Sequence, residues 1–208
     1  HTGQDGTFLY RILKENGYCV TTWDESVQGI PSSETLNAFP LVVWSAGDYW
    51  NTVLDANDLS AVQSYAGNLL LEGNDVAFDH SDDNAFENMM HADYHSDVFL
   101  ANDEGVVFLS NNVIFPSLST LEINLSLASF PDALNPINGG ASAGDWNGGQ
   151  SAIVSFLQPN ARKLFMGFSL DAINSSIDQN KFINDSVNWL FKSSNQPPST
   201  PTSLNCNN

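Results

Sequence analysis

The chain has 208 residues, 24 of them acidic and only six basic, and its formal net charge is −18 at pH 7. Nucleic acids and anionic membranes require clustered Lys and Arg, so this balance argues against both as partners. Hydrophobic residues make up 42% of the chain, enough for one globular core, and no apolar run approaches the roughly 18–20 residues of a membrane span.

The first half of the chain predicts alternating helices and strands. Helical spacing of apolar residues predicts a helix over 7–16, and β-forming residues predict a strand over 18–23. Residues 41–44 are a continuous apolar run, typical of a central strand buried on both faces. A helix over 55–65 and a strand over 69–71 follow, and this order predicts a parallel pair joined by a crossover.

The second half is harder to interpret. The pattern predicts a helix over 81–91, strands over 106–109 and 121–125, and a glycine-rich loop over 139–149 that carries Trp146. Residues 152–157 and 163–168 predict a β-hairpin, and 178–191 a closing amphipathic helix. We expect one domain over 1–192, followed by a Pro/Ser-rich linker over 193–208 towards a β-sandwich module.

Several segments point to a known family. These are Trp23-Asp24, residues 41–50 (LVVWSAGDYW), residues 68–75 (NLLLEGND) and residues 167–173 (GFSLDAI). Together they resemble the class I glutamine amidotransferase-like domains that accompany secreted proteases and surface proteins of bacteria and archaea. The resemblance implies a flavodoxin-like α/β fold. Its central sheet would be mostly parallel, with helices on both faces and a β-hairpin near the C-terminal end.

The catalytic residues of that family do not carry over to this chain. Its active members place a cysteine at a strand-to-helix elbow and activate it with a histidine. Here the elbow reads Glu72-Gly73-Asn74-Asp75, and residues 168–173 contain no histidine. We therefore predict a noncatalytic binding or scaffolding domain of a secreted or cell-surface multidomain protein, with a contribution to a surface assembly or filament as one role. Two alternatives stay open: a hydrolase with a carboxylate or metal-water mechanism, using Glu72, Asp75 or His80, and a carbohydrate-binding module.

The start of the sequence also departs from the family pattern. Domains of this type begin with a central strand, whereas residues 1–6 have the composition of the loop that follows such a strand. Either the sequence is incomplete there, or another chain supplies the strand. The expected partners are neighbouring domains or subunits, including a strand supplied in trans, and a surface polysaccharide.

Candidate binding residues lie in two acidic loops and in exposed aromatic positions. Ligands of open parallel sheets bind at the carboxyl ends of the strands, and carboxylates suit calcium. We expect binding residues at Asp48, Tyr49, Trp50, Glu72, Asp75, Asp79 and Trp146. The candidate calcium ligands are Asp75, Asp79, Asp82 and Asp83.

Histidines, cysteines and glycosylation sequons give weaker signals. His91 and His95, with His80 nearby in sequence, could share a helical face and bind zinc with Asp93 or Asp97 as a third ligand, although surface or capping roles are commoner. Cys19 is expected to be a small buried residue, and Cys206 could pair outside the chain. Three Asn-x-Ser/Thr sequons favour an extracellular or cell-surface protein: Asn124, Asn174 and Asn184.

Overall fold

A computed structural model of the protein describes residues 6–49, 52–99, 104–127 and 130–192. Seven α-helices are formed in this part of the chain: α1 Thr7–Glu15, α2 Glu25–Gln28, α3 Ser33–Asn37, α4 Ala56–Gln63, α5 Val76–Asp79, α6 Asn84–Met90 and α7 Ser176–Phe191. The strands are β1 Leu41–Ser45, β2 Asn68–Glu72, β3 Ala92–Asp97, β4 Glu104–Phe108, β5 Thr120–Asn124, β6 Asp132–Pro136, β7 Ala141–Trp146, β8 Ser151–Leu157 and β9 Arg162–Met166. Among the described helices, none is long and apolar enough to cross a bilayer.

All nine strands belong to one mixed sheet, with the order β1-β2-β9-β8-β7-β4-β5. β3 and β6 lie off this path, where β6 pairs with both β3 and β8. Only the β1-β2 and β2-β9 pairs are parallel, and the six other pairs are antiparallel. The sheet curls into a half-barrel. The expected flavodoxin-like architecture, a mostly parallel sheet with helices on both faces, is therefore wrong.

Short connections in the second half of the chain explain this difference. Four residues join β7 to β8 and four join β8 to β9, and both pairs are antiparallel hairpins. A parallel pair needs a crossover of a dozen or more residues, usually a helix, and these connections are too short for one. The predicted C-terminal hairpin is confirmed. The strands β6 and β7, which pair with β8, and β4, which pairs with β7, are antiparallel to their partners as well.

The β1-α4-β2 unit forms as predicted, but β1 lies at an edge of the sheet. Helix α4 begins at a capping box, in which Asp55 accepts from the Asp58 amide and the Asp58 carboxylate accepts from the Asp55 amide. β1 and β2 pair in parallel with Leu41 opposite Asn68. In the described part of the chain, β1 has β2 as its one strand partner and its core residues are half-buried. Both strands were expected to be central, and of the two only β2 has a described strand on either side, β1 and β9.

Residues 18–23 do not form the predicted strand. The Tyr18 hydroxyl donates to Asn184 at 3.2 Å and to Asn188 at 3.1 Å, and its ring stacks on Phe191. Val20 packs against the hydrophobic core to which α1 and α7 contribute. Tyr18 thus docks this segment on helix α7, and the segment pairs with none of the described strands.

Strand β7 is the glycine-rich segment that was expected to be a loop. Its sequence is ASAGDW, and its small residues are required by close packing. A Cβ on Gly144 would lie 3.0 Å from Val107 and 3.1 Å from both Ile153 and Leu109. β-Propensity depends on such packing, and a composition that suggests a loop can therefore form a central strand.

Two hydrophobic clusters pack on β2, whose side chains alternate between them. Leu70 joins the first cluster, to which α1 and α7 contribute Ile12, Phe182 and other residues. Leu69 and Leu71 join the second, which includes side chains of α4, α5 and α6. The candidate site is built where β2 ends, after Glu72.

Candidate functional site

The elbow between β2 and α5 has two residues in backbone conformations with positive φ. Gly73 has φ +153°, and a Cβ at this position would lie 2.7 Å from the Ala46 Cβ. Asp75 has φ +55° and ψ 9°, in the left-handed region, immediately before α5. Non-glycine residues adopt this conformation rarely and at a cost, and such outliers cluster at functional sites.

Hydrogen bonds connect the elbow to the loops that follow β1 and β9. The Asn74 amide donates to the Gly47 carbonyl at 2.9 Å, and the Asn74 side chain donates to the Asp48 carboxylate at 2.7 Å. On the other side, the Ser169 amide donates to the Asn74 side-chain oxygen at 3.0 Å. The carboxyl ends of the three parallel strands therefore meet at Asn74, as expected for a ligand-binding edge of such a sheet.

Glu72 is fully buried below the elbow. Its Oε2 accepts from the Leu170 amide at 2.9 Å, whereas its Oε1 has no hydrogen-bond partner. Burial raises the pKa of Glu72 from 4.5 to about 7, and the nearby Asp171 carboxylate contributes in the same direction. Glu72 thus holds the β9 loop in place, and being enclosed it is not available to a ligand.

Three carboxylates from different elements converge beside the elbow. Asp75 comes from the elbow itself, Asp97 from the end of β3 and Asp132 from the start of β6, and one oxygen of each lies within 4.8 Å of the others. Asp132 Oδ2 accepts from the Ala77 amide at 2.8 Å, and Asp97 Oδ1 accepts from the Tyr94 hydroxyl at 2.7 Å. We call Asp75, Asp97 and Asp132 the carboxylate cluster.

The electrostatics of the carboxylate cluster are unfavourable when all of its members are ionised. Burial raises the pKa of Asp75 from 3.8 to about 7, with further contributions from Asp97, Asp48 and Asp79. Burial also raises the pKa of Asp132 well above its ordinary value, and Asp75 and Asp97 add to the effect. Between two unit charges about 4 Å apart, the repulsion is about 4 kcal/mol at an effective dielectric constant of about 20. At neutral pH the cluster therefore favours the uptake of positive charge.

The other predicted site residues of the acidic loops have separate environments. Tyr49 is exposed, and Trp50 lies outside the described residues. Asp79 accepts from the Val53 amide, Asp83 caps helix α6, and Asp82 is exposed. The carboxylate cluster includes Asp75 but none of the other three expected calcium ligands, because Asp79 bonds to the Val53 amide, Asp83 caps α6 and Asp82 faces solvent.

Trp146 is not the exposed loop residue that was expected. It lies in β7 with 2% of its surface exposed, and its indole nitrogen donates to the Asp132 carbonyl at 3.1 Å. Its ring packs edge-on against Phe168. The ring cannot stack on a sugar, but its hydrogen bond positions the backbone of one member of the carboxylate cluster.

The histidines do not form the shared helical face that the zinc alternative required. His91 ends helix α6 in the left-handed conformation, and its ring stacks on Phe156. His95 lies in β3, exposed and close to Asn135, so the two histidines share no helical face. His80 stacks on Phe86, and its Nδ1 lies 3.4 Å from the Asp83 carboxylate. These contacts are typical of packing and capping.

Sequence reasoning missed Asp132 and assigned Asp97 to a different site. Asp132 follows Pro131 in a stretch without strand periodicity, and it reaches the elbow only because β6 continues the line of β9 along β8. Gly167 makes this approach possible, since a Cβ there would lie 2.4 Å from the Asp132 carbonyl oxygen. No local signal in the sequence reveals a contact between residues 75 and 132.

Cysteine and sequon positions bear on the compartment. Cys19 is disulfide-bonded and exposed, so the expectation of a small buried residue is wrong. Cys206 lies outside the described residues. Asn174 is exposed before α7, Asn184 accepts from Tyr18, and Asn124 accepts from Ser126 at the end of β5.

A shallow groove of about 340 Å³ lies between α1 and α7, lined by Arg11, Ile12, Glu15, Ser176, Ile177, Asn180 and Lys181. None of the elbow residues contributes to it. We place the candidate site at the elbow and not in this groove, because the buried, unpartnered carboxylate oxygens of the carboxylate cluster are at the elbow.

Comparison with known proteins gives similarity of fold alone. No protein-family model and no curated protein sequence matches the chain. A candidate GMP synthase component from Thermoplasma acidophilum is similar with a TM-score of 0.61 and 15% identity, over 90% of this chain and 91% of that one. The mmIFT52 N-terminal domain has a TM-score of 0.59 and 13% identity, with 92% of both chains covered.

A third similar structure is much longer than this chain. It is the exo-β-1,4-mannosidase Op5Man5 from an Opitutaceae bacterium, strain TAV5, with a TM-score of 0.56 and 12% identity. The similarity covers 88% of this chain and 29% of the mannosidase. At 15% identity, the likeness to the candidate GMP synthase component is consistent, in fold alone, with the resemblance to class I glutamine amidotransferase-like domains.

Proposed function

We propose that this chain is a noncatalytic binding or scaffolding domain of a secreted or cell-surface multidomain protein. The proposal rests on the residues of the elbow, above all on the buried Asp75. The elbow at which the resembling amidotransferases place a cysteine reads Glu72-Gly73-Asn74-Asp75 here, and Asp75 has 5% of its surface exposed with two further carboxylates beside it. Residues 72–75 contain no cysteine, serine or threonine to act as a nucleophile.

An extracellular location is supported by the chemistry of Cys19. Disulfides persist in oxidising compartments and are rare in the cytosol of most organisms. Cys19 is disulfide-bonded, and Asn174 offers an exposed glycosylation sequon.

A role within a longer protein is supported by the size of the similar mannosidase. The chain matches 29% of that enzyme, so this fold occurs as one part of a larger polypeptide. In such a protein the domain would contact neighbouring domains or subunits, and these contacts would contribute to an assembly or filament. The outer edge of β1, which pairs with no strand in the described part of the chain, is one candidate contact, since such an edge is a template for another strand, including one supplied in trans.

A hydrolase is the second candidate, and one observation favours it. Asp75 combines a positive φ with a pKa raised to about 7, and both features are common in catalytic groups. The burial of Asp75 argues against a hydrolase, because a catalytic carboxylate has to reach a substrate. A carbohydrate-binding module that binds a surface polysaccharide is the third candidate. Of the aromatic residues predicted to bind a ligand, Tyr49 is exposed in the described part of the chain.

Turnover assays separate the first two candidates. The purified chain should release no ammonia from glutamine and should hydrolyse no ester, amide or glycoside reporter above the level of Asp75→Asn. Turnover by the wild type that falls at least about tenfold in Asp75→Asn, while Asp82→Asn retains it, would contradict a noncatalytic role.

Immunoblotting of the source cells tests the location. An antibody against the chain should detect a surface-fraction polypeptide clearly heavier than the 22.6 kDa of this chain. Without reductant, Cys19 should resist alkylation by iodoacetamide. A 22.6 kDa cytosolic band with an alkylated Cys19 would overturn the extracellular, multidomain part of the proposal.

A further inference from the structure

The carboxylate cluster has oxygens that no protein donor satisfies. Asp75 Oδ2 and Asp132 Oδ1 are buried and have no hydrogen-bond partner. Asp132 is itself fully buried, and its other oxygen is occupied by the Ala77 amide. A buried carboxylate oxygen without a partner is costly, so its persistence at a point of convergence indicates a missing ligand.

No basic side chain of the described residues supplies the missing positive charge. Their ion pairs involve Arg11, His80 and Lys181, each with an acidic partner on its own helix or turn. Arg162 donates to the Trp189 carbonyl, and Lys163 donates to the Met89 carbonyl. The carboxylate cluster therefore requires protons or a metal ion to balance its charge.

We propose that Asp75, Asp97 and Asp132 bind one hard divalent cation, with calcium as the best match. Calcium takes six to eight oxygen ligands at about 2.3–2.6 Å and prefers carboxylates, carbonyls and water. Three carboxylates give a charge of −3, which is enough for a divalent ion. Zinc fits less well, because the cluster contains no histidine or cysteine.

The surroundings of each ligand favour a preformed site. The Ala77 amide holds Asp132 Oδ2 and the Tyr94 hydroxyl holds Asp97 Oδ1, so one oxygen of each carboxylate is fixed, and Asp132 Oδ1 has no partner. Asp75, in the left-handed conformation immediately before α5, lies beside Asp97 of β3 and Asp132 of β6. Outer hydrogen bonds of this kind orient metal ligands, and their loss typically weakens binding by about 10–100-fold.

This site differs from the calcium ligands expected from the sequence. That set combined Asp75 with Asp79, Asp82 and Asp83, which follow it closely along the chain. The structure replaces those three residues by Asp97 and Asp132, from two later strands. The proposal is independent of a noncatalytic role, because a bound ion is compatible with a structural domain and with an enzyme.

Terbium luminescence tests the proposal in solution. Tb³⁺ is a hard ion of similar size to Ca²⁺ and is excited through a nearby aromatic ring, here that of Tyr94. In physiological salt, the wild-type chain should bind one Tb³⁺ that Ca²⁺ displaces. Asp97→Asn should bind at least about tenfold more weakly, and the matched surface variant Asp82→Asn should bind like the wild type.

Circular dichroism establishes that each variant is folded before it is compared. Asp97→Asn keeps an acceptor for Tyr94, and Asp75→Asn serves as the second variant if the first does not fold. Equal affinity of a folded variant and the wild type would overturn the proposal. The proposal would also be overturned if the wild type bound many Tb³⁺ ions weakly and Asp82→Asn reduced this binding as much as Asp97→Asn. That result would mean that the net charge attracts the ions. Loss of ion binding without any turnover would leave the noncatalytic role intact.

Discussion

Glu72 shows how one buried acid makes folding depend on pH. Its pKa is about 7 in the folded protein and 4.5 in its ordinary state, so the folded chain holds a proton that the unfolded chain has lost between these values. The stabilising contribution is therefore complete below pH 4.5 and is lost as the pH rises to about 7. Asp75 has the same sign, with a pKa raised to about 7 from 3.8.

Glu72→Gln should reduce this pH dependence. The wild type should lose up to about 3 kcal/mol of unfolding free energy between pH 4.5 and 7 through this group. The variant keeps an acceptor for the Leu170 amide but cannot ionise, so its loss over the same window should be smaller. Urea denaturation with chelator present measures both curves. Glu122→Gln, at an exposed position, is the control, and an identical slope for Glu72→Gln and the wild type would contradict the role of Glu72.

At the scale of elements, the docking of residues 18–23 on α7 can be tested through one hydroxyl. Tyr18→Phe removes the hydrogen bonds to Asn184 and Asn188 but keeps the stacking on Phe191. We expect a loss of about 1 kcal/mol in unfolding free energy and faster chymotrypsin cleavage within 18–23. Tyr10→Phe, on the exposed side of α1, should change neither. An unchanged cleavage rate for Tyr18→Phe would mean that the segment is held elsewhere.

The junction of β9 and β6 depends on Gly167. An added Cβ would meet the Asp132 carbonyl oxygen at 2.4 Å, and backbone cannot yield as a flexible side chain would. Gly167→Ala should therefore cost about 1–3 kcal/mol of unfolding free energy and weaken Tb³⁺ binding by displacing Asp132. The comparison is Gly6→Ala, where a Cβ meets nothing within 4 Å. Thermal melts and terbium titrations of both variants measure the two effects, and a Gly167→Ala chain with wild-type values would refute the close approach.

The sequence was informative where local pattern determines structure. The periodicity of α1 and α7, the apolar runs of β1 and β2 and the β8-β9 hairpin are set by short-range signals, and all of them form. β6 and β7 were missed because Pro136, Gly144 and their small or polar neighbours have low strand propensity. Asp75 was identified from its position after β2, but Asp132 was not, because a contact across 57 positions depends on topology alone.

At the scale of the whole molecule, a net charge of −18 should make stability depend on salt. Self-repulsion among acidic side chains weakens as ions screen it, so the melting temperature should rise with NaCl. At equal ionic strength CaCl₂ should raise it further, because specific binding to the folded state adds its own stabilisation. The additional increase should disappear in Asp97→Asn and persist in Asp82→Asn. Equal melting temperatures in the two salts would show that screening is the whole effect.

We propose a cation site at the elbow of this fold, in place of a nucleophile. Anomalous diffraction from crystals soaked in Mn²⁺ tests it most directly, since manganese shares the preference of calcium for oxygen ligands. We predict an anomalous peak within bonding distance of the Asp75, Asp97 and Asp132 carboxylates. Crystals that show manganese at other positions, with these three side chains hydrogen-bonded to one another through shared protons, would contradict it.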